Sequence, residues 1–165
     1  MDKLPLDFID RRILDLLQEN GRLSNAELAE RVGLTPPPTL RRVRKLEQAG
    51  YIRKYVALLD PAKIGRGTLA FVSVSLREHT LEAIAQLQRA VETMPEVLEC
   101  YHIAGQTDFL LKVAVRDIAE YEDFVLHKLT PAAPIRQIET RFVLRALKQE
   151  TRFPLTESER ESRGK

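Results

Sequence analysis

SNAELAERVGLTPPPTLRRVRKLEQAG, residues 24–50, holds two helix patterns separated by a glycine turn. Ser24 and Glu27 have capping-box spacing, so each can satisfy an N–H group that a first helical turn leaves unpaired. Leu28, Ala29 and Val32 follow as an apolar stripe until Gly33 breaks the pattern. Thr35 is placed to cap the next helix. Each of Pro36, Pro37 and Pro38 disfavours helical geometry in the residue before it, which predicts that regular helix begins near Pro38 and runs to Gly50. At about 100° per residue, Leu40, Val43 and Leu46 share a face that points to a core. Pro38, Arg41, Arg42 and Lys45 occupy the opposite face, with Arg44 and Gln48 at its edge. A short helix, a tight turn and a second helix with a cationic outer side is the layout of a helix-turn-helix.

The flanks extend this unit. Upstream, Asp7 can cap a helix carrying Ile9, Ile13, Leu16 and Leu17 at helical spacing, stopped by Gly21. Downstream, Tyr51 to Leu59 is rich in tyrosine and aliphatic residues and includes Arg53 and Lys54, which predicts a β wing or flanking strand. The whole chain has a formal net charge of only +2, so a nucleic-acid signal must lie in where the charges fall. Acidic residues outnumber basic ones over residues 1–30. From Arg41 to Lys54, Arg41, Arg42, Arg44, Lys45, Arg53 and Lys54 face Glu47 alone. Guanidinium groups can bond guanine O6 and N7 bidentately, whereas lysine and wing charges chiefly neutralise phosphate. Arg41 and Arg42 are therefore the expected base readers and double-stranded DNA the expected partner. Thr35, Pro38, Thr39, Arg44, Lys45, Arg53 and Lys54 complete the candidate DNA surface.

Asp60 to Gly67 has turn chemistry throughout and marks a linker. Beyond it Thr68 to Leu76 alternates, with Val72, Val74 and Leu76 on one side and Phe71, Ser73 and Ser75 on the other, as in a one-sided sheet. Thr80 can cap a helix with Ile84, Leu87 and Val91 that stops at Met94-Pro95. Val97–Ala104 and Phe109–Val115 read as strands joined by Gly105-Gln106-Thr107-Asp108. Asp117 and Glu120 open a helix bearing Ile118, Tyr121, Phe124 and Val125 that ends before Pro131, and Ile135–Leu147 reads as a long final strand. The order βαββαβ is the ferredoxin-like arrangement, with two helices on one face of an antiparallel sheet. The fold class is thus α+β: a winged helix-turn-helix over residues 1–60, a linker at 61–67, a ferredoxin-like domain at 68–149, which the family resemblance given below implies to be effector-binding and oligomerising, and a tail at 150–165. The sheet face holding Phe71 lacks a cover, which predicts an obligate dimer. The tail is polar and is expected to be disordered or to extend across a partner.

The longest apolar runs, such as Leu69 to Val72, are too short to span a bilayer, and the N-terminus lacks the continuous apolar core of a secretory signal. A cytoplasmic location without membrane contact is expected. Cys100 is the single cysteine, and its apolar surroundings predict buried packing. His79, His102 and His127 lack metal-ligand spacing, so surface or packed roles, no metal and no cofactor are expected.

Three stretches together resemble the leucine-responsive regulatory protein and asparagine-regulator (Lrp/AsnC, feast/famine) family over about residues 5–155: LDFIDRRILDLLQENGRLSNAELAERVGLT, RRVRKLEQAGYIRKYVALLD, and AGQTDFLLKV with its downstream IETRFVLR. The resemblance implies a DNA-binding transcriptional regulator, dimers that often assemble to octamers, and a small amino acid bound between effector domains. Gly105-Gln106-Thr107-Asp108 matches the family's ligand loop. There backbone amides can donate to an α-carboxylate, Asp108 can accept from the α-ammonium, and Tyr101 or Leu111 can shape the side-chain pocket. Arg136 and Gln137 lie in the matching stretch that opens the final strand, where Ile138 replaces a frequent serine or threonine. Three prolines in succession also exceed the family's usual start to the recognition helix. Two other readings compete. Siroheme decarboxylases resemble the same two-domain family, although an enzyme has no use for a basic outer face at Arg41, Arg42 and Lys45. An architectural protein that wraps DNA without a ligand is weakened by the near-neutral net charge.

Overall fold

The computed structural model describes residues 5–155. The chain folds as two compact units, one built from the segment ending at Leu58 together with that starting at Lys148, the other from Leu59–Leu147.

In the first unit α1 (Phe8–Glu19) opens on a capping box in which the Asp7 carboxylate accepts from the Asp10 N–H at 2.8 Å and Asp10 reciprocates. It ends at an extended Asn20 rather than at Gly21. Gly21 serves instead to make room, since a Cβ there would stand 3.3 Å from the Tyr55 ring. Helix α2 (Asn25–Val32) has the predicted Ser24–Glu27 box and closes at Gly33, whose φ of 70° only glycine adopts at little cost. The Leu34 N–H then reaches the Ala29 carbonyl and the Gly33 N–H that of Glu30.

Helix α3 runs Pro36–Gln48, two residues earlier than the proline rule predicts. All three prolines fit because first-turn N–H groups have no intrahelical partner to lose. Thr35 holds the N-cap position with extended backbone, but its side chain makes no capping bond. The physical reason is direct: the residues whose N–H groups it would bond are prolines. Ser24→Ala should therefore destabilise this unit by about 1 kcal/mol, whereas Thr35→Ala should stay within about 0.5 kcal/mol, a contrast that thermal melts of the two variants will read.

Ile13, Leu14, Leu16, Leu28 and Leu46 form the core of this unit, with Val43 and Ile52 packed on it. Leu40, expected inside, is instead about a third exposed at the rim. Tyr51–Leu59, expected to form a wing or flanking strand, pairs with no strand among the described residues. Residues 150–155, expected to be disordered or to cross to a partner, lie along α1. The Gln18 amide bonds both the N–H and the carbonyl of Phe153, at 2.7 and 3.0 Å. Arg152 reaches Glu19 at 2.6 Å and Asp15 at 3.5 Å, and Leu155 joins the core cluster. The rest of the predicted tail lies outside the described residues.

The second unit has the predicted element order: β1 (Thr68–Leu76), α4 (Leu81–Glu92), β2 (Val97–His102), β3 (Phe109–Val115), α5 (Ile118–Asp123) and β4 (Ile135–Phe142). The sheet is antiparallel in the order β2-β3-β1-β4. Val72, Val74, Leu76, Leu111, Val113 and Val115 point to the helical side and pack with Leu87, Phe124 and Leu129. Helix α5 widens into a π-helical turn at Phe124–Leu129 and a 3₁₀ turn at Thr130–Ala132, so Pro131 is included in the helical stretch. Strand β4 stops at Phe142 instead of reaching Leu147. Its pairing partner β1 starts at Thr68, and the Val143 N–H to Leu69 bond is the last rung available. Leu144 is fully exposed. Cys100, expected inside, is exposed because β2 is an edge strand, while partial burial pushes its thiol pKa up.

Candidate functional site

The first unit offers a cationic helix and the second a loop at a strand end. On α3, Arg41, Arg44 and Lys45 are exposed and form no ion pair among the described residues. Arg53 and Lys54 are exposed in the extended segment after it. These five keep the free charge that contact with phosphate or base edges requires. Arg42 does not. Its Nη1 lies 2.7 Å from both Asp7 and Asp10, so one guanidinium group fastens α3 to the start of α1. The Asp10 backbone N–H, and then Arg42, hold the Asp7 carboxyl below its usual pKa, and the two carboxylates raise that of Arg42. Arg42 is thus a positioning residue in this structure, in contrast to the base reader expected from its place on the outer face.

Thr39, another DNA candidate, is fully buried, and its hydroxyl donates to the Thr35 carbonyl at 3.0 Å. Thr35 is exposed and Pro38 partly so. Pro38, Arg41, Arg42 and Lys45 share one shallow depression with Pro5, Asp7 and Asp10.

Two contacts that fix α3 were not read from the sequence. The Asn25 amide donates to the Pro36 carbonyl at 2.8 Å and ties α2 to the first turn of α3. The Tyr55 hydroxyl donates to Glu47 at 3.0 Å and ties the following segment to the end of α3. Burial, then the bond to Glu47 and its charge, push the Tyr55 pKa up to about 12. A phenol whose pKa rises on folding contributes stability that is complete below its unfolded value near 10 and is lost as pH climbs toward the folded value. Ultraviolet titration should show one tyrosine ionising near pH 12 that Tyr55→Phe removes. If the variant retains that late phase, the Glu47 contact does not persist in solution.

In the second unit the loop at residues 105–108 packs against the end of β1. Gly105 has φ 146° with nothing within 4 Å of where a Cβ would stand, so the backbone is open to an approaching group. The Asp108 N–H donates to the Val74 carbonyl at 3.0 Å, and Asp108 Oδ2 accepts from the Leu76 N–H at 2.8 Å. Asp108 Oδ1 lies 2.8 Å from His79 Nε2. Gln106 is exposed and Thr107 partly buried.

Gln137 pairs with Ser75, and a register shift at Ser75/Leu76 skips Arg136, so both exposed residues sit at the strand end that Asp108 grips. Tyr101 pairs with Leu110 on the open sheet face, where its hydroxyl donates to Glu99 at 2.6 Å. Leu111 faces the other way and is fully buried, which removes it from any surface pocket. The open face is more polar than Phe71 alone implied. Lys112 pairs with Glu99 at 2.8 Å, and Arg141 with Glu139 at 2.6 Å and with the Ser73 hydroxyl at 3.2 Å. Of the other histidines, His102 stacks on Phe109 and His127 lies beside Asp123.

Residues 6–53 match the winged helix-turn-helix DNA-binding family, and residues 69–153 match the Lrp/AsnC ligand binding domain. A leucine-responsive regulatory protein of Rhizobium meliloti is 40% identical over 88% of this chain and 94% of its own. The Bkd operon transcriptional regulator of Pseudomonas aeruginosa is 39% identical over 91% of this chain and 98% of its own. Among solved structures, a transcriptional regulator of Neisseria meningitidis in complex with L-methionine superposes with a TM-score of 0.87 at 42% identity, covering 92% of this chain and 97% of that one. Two matched domains in this order, with relatives aligned along nearly their full length, establish that the chain belongs to the Lrp/AsnC family of transcriptional regulators.

Proposed function

We propose that this chain regulates transcription by binding double-stranded DNA through α3, and that a small amino acid bound at the 105–108 loop controls that binding. The observation that carries the reading is the free cationic set Arg41, Arg44 and Lys45 on a helix held at both ends, by Asn25 and by Tyr55. Arg53 and Lys54 add phosphate contacts in this scheme. In the second unit, Asp108 accepts the α-ammonium while the amides of Gly105, Gln106 and Thr107 meet the α-carboxylate, with Arg136, Gln137 and Tyr101 at the margin. The named ligand of the Neisseria relative, L-methionine, supports this ligand class.

The working unit is a homodimer that assembles toward an octamer. Support comes from the exposed Val56, Leu58 and Leu59 and from the uncovered sheet face. No helix among the described residues is long and apolar enough to cross a membrane, in keeping with action in the cytoplasm. No catalytic role and no cofactor are proposed, and the named relatives are regulators. Footprinting on genomic fragments, with and without each of the common amino acids, tests the scheme. Protection of a few discrete sites, shifted by one or a small set of amino acids, is expected. Indifferent coating of all fragments points instead to an architectural DNA-wrapping protein.

A further inference from the structure

The carboxylate of Asp108 has two partners of opposite character. Leu76, whose backbone N–H holds Oδ2, is 1% exposed at the end of a core strand and cannot leave without breaking its pairing with β4. His79, whose Nε2 lies 2.8 Å from Oδ1, carries a side chain that is 71% exposed on the four-residue turn between β1 and α4. One oxygen is therefore fixed to the scaffold, and the other is held by a side chain free to swing into water. Asp108 itself is 16% exposed, so little of its carboxylate is open while His79 stays in place.

We propose that His79 is an internal occupant of the effector site, holding the Asp108 oxygen that the ligand's ammonium must take and so setting how tightly the amino acid binds. This rests on the reading of the 105–108 loop as the effector site. An ammonium brings three N–H donors and a full charge to Oδ1, against the single ring nitrogen it displaces. A 2-oxo acid of the same side chain has no donor to offer there and is refused by the carboxylate itself. The affinity for an amino acid is lowered by the fraction of molecules in which His79 is seated.

Calorimetric titration of the full chain with L-methionine, and with the matching 2-oxo acid, tests this in wild type, His79→Ala and His79→Gln. His79→Ala should bind L-methionine about two- to fivefold more tightly, the worth of one exposed pair. The glutamine variant, which keeps a donor, should fall between it and wild type. The oxo acid should bind none of the three, because it sets a carbonyl oxygen against the Asp108 carboxylate. Equal affinities for L-methionine in all three proteins would falsify the role of His79 while leaving the effector site standing. Failure of L-methionine and of every other common amino acid to bind any of the three proteins overturns the effector-site reading and this inference with it.

Discussion

Arg42→Ala should lower the stability of the first unit by about 1–3 kcal/mol and weaken binding to all DNA sequences alike, whereas Arg41→Ala should leave stability within about 0.5 kcal/mol and relax the preference for one base. The two residues are neighbours on one helix, yet the structure places them in different circuits. Asp10 is only 5% exposed, so loss of Arg42 strands a carboxylate that has the Asp7 N–H, at a long 3.4 Å, as its other partner. The cost is the desolvation of that group, and α3 loses a fastening to α1. Arg41 has no such debt to the fold, and its loss of about 1–3 kcal/mol should appear in DNA affinity and only at the position it reads. Denaturant melts with competition binding on specific and scrambled duplexes separate the outcomes. An Arg42→Ala protein of unchanged stability and altered base preference shows that the Asp7–Arg42–Asp10 clasp opens on DNA.

Asp108→Ala should abolish the response of DNA binding to the amino acid, the other large effect expected. Coupling requires the ligand to distinguish two states of the protein, and the charged group on which its ammonium would rest is gone. The contact to Leu76 makes alanine an imperfect probe, because it also leaves the Leu76 N–H without its acceptor. Asp108→Asn retains an amide oxygen for that N–H and removes only the charge. It should lose the response while keeping the stability that alanine forfeits. A mutant pair that both respond normally in footprinting places the ammonium partner elsewhere.

What was legible in the sequence followed from local rules that the structure also obeys. The capping box at Ser24–Glu27 opened α2, and Asp117 and Thr80 opened α5 and α4 where predicted, although Glu120 accepts from the Arg116 N–H instead of completing a second box. Alternation along Thr68–Leu76 placed Val72, Val74 and Leu76 in the core, although Ser73 and Ser75 on the other face are buried as well. Most of the misses depend on a partner distant in sequence. Arg42 reads as an outward cation until Asp7 and Asp10 are brought to it, although the acidic excess over the first thirty residues was a usable hint. Thr39 lies on the flank of α3, where helical phase alone does not separate buried from exposed. The ends of β2 and β4 depend on how far their neighbours run. His79 gave no signal at all, because a lone histidine in a turn acquires meaning only from the carboxylate beside it.

The segment from Lys148 onward belongs to the same unit as α1, which makes the ligand-binding unit an insertion within the DNA-binding one. The chain enters and leaves Leu59–Leu147 through separate connections, so no single cut yields two complete halves. A fragment ending near residue 60 would take Leu155 from the core cluster, Arg152 from Asp15 and the Phe153 backbone from Gln18. For the same reason a fluorophore attached near Leu155 would report on the environment of α1 and the motion of the DNA reader, although in sequence it sits just past the ligand-binding fold.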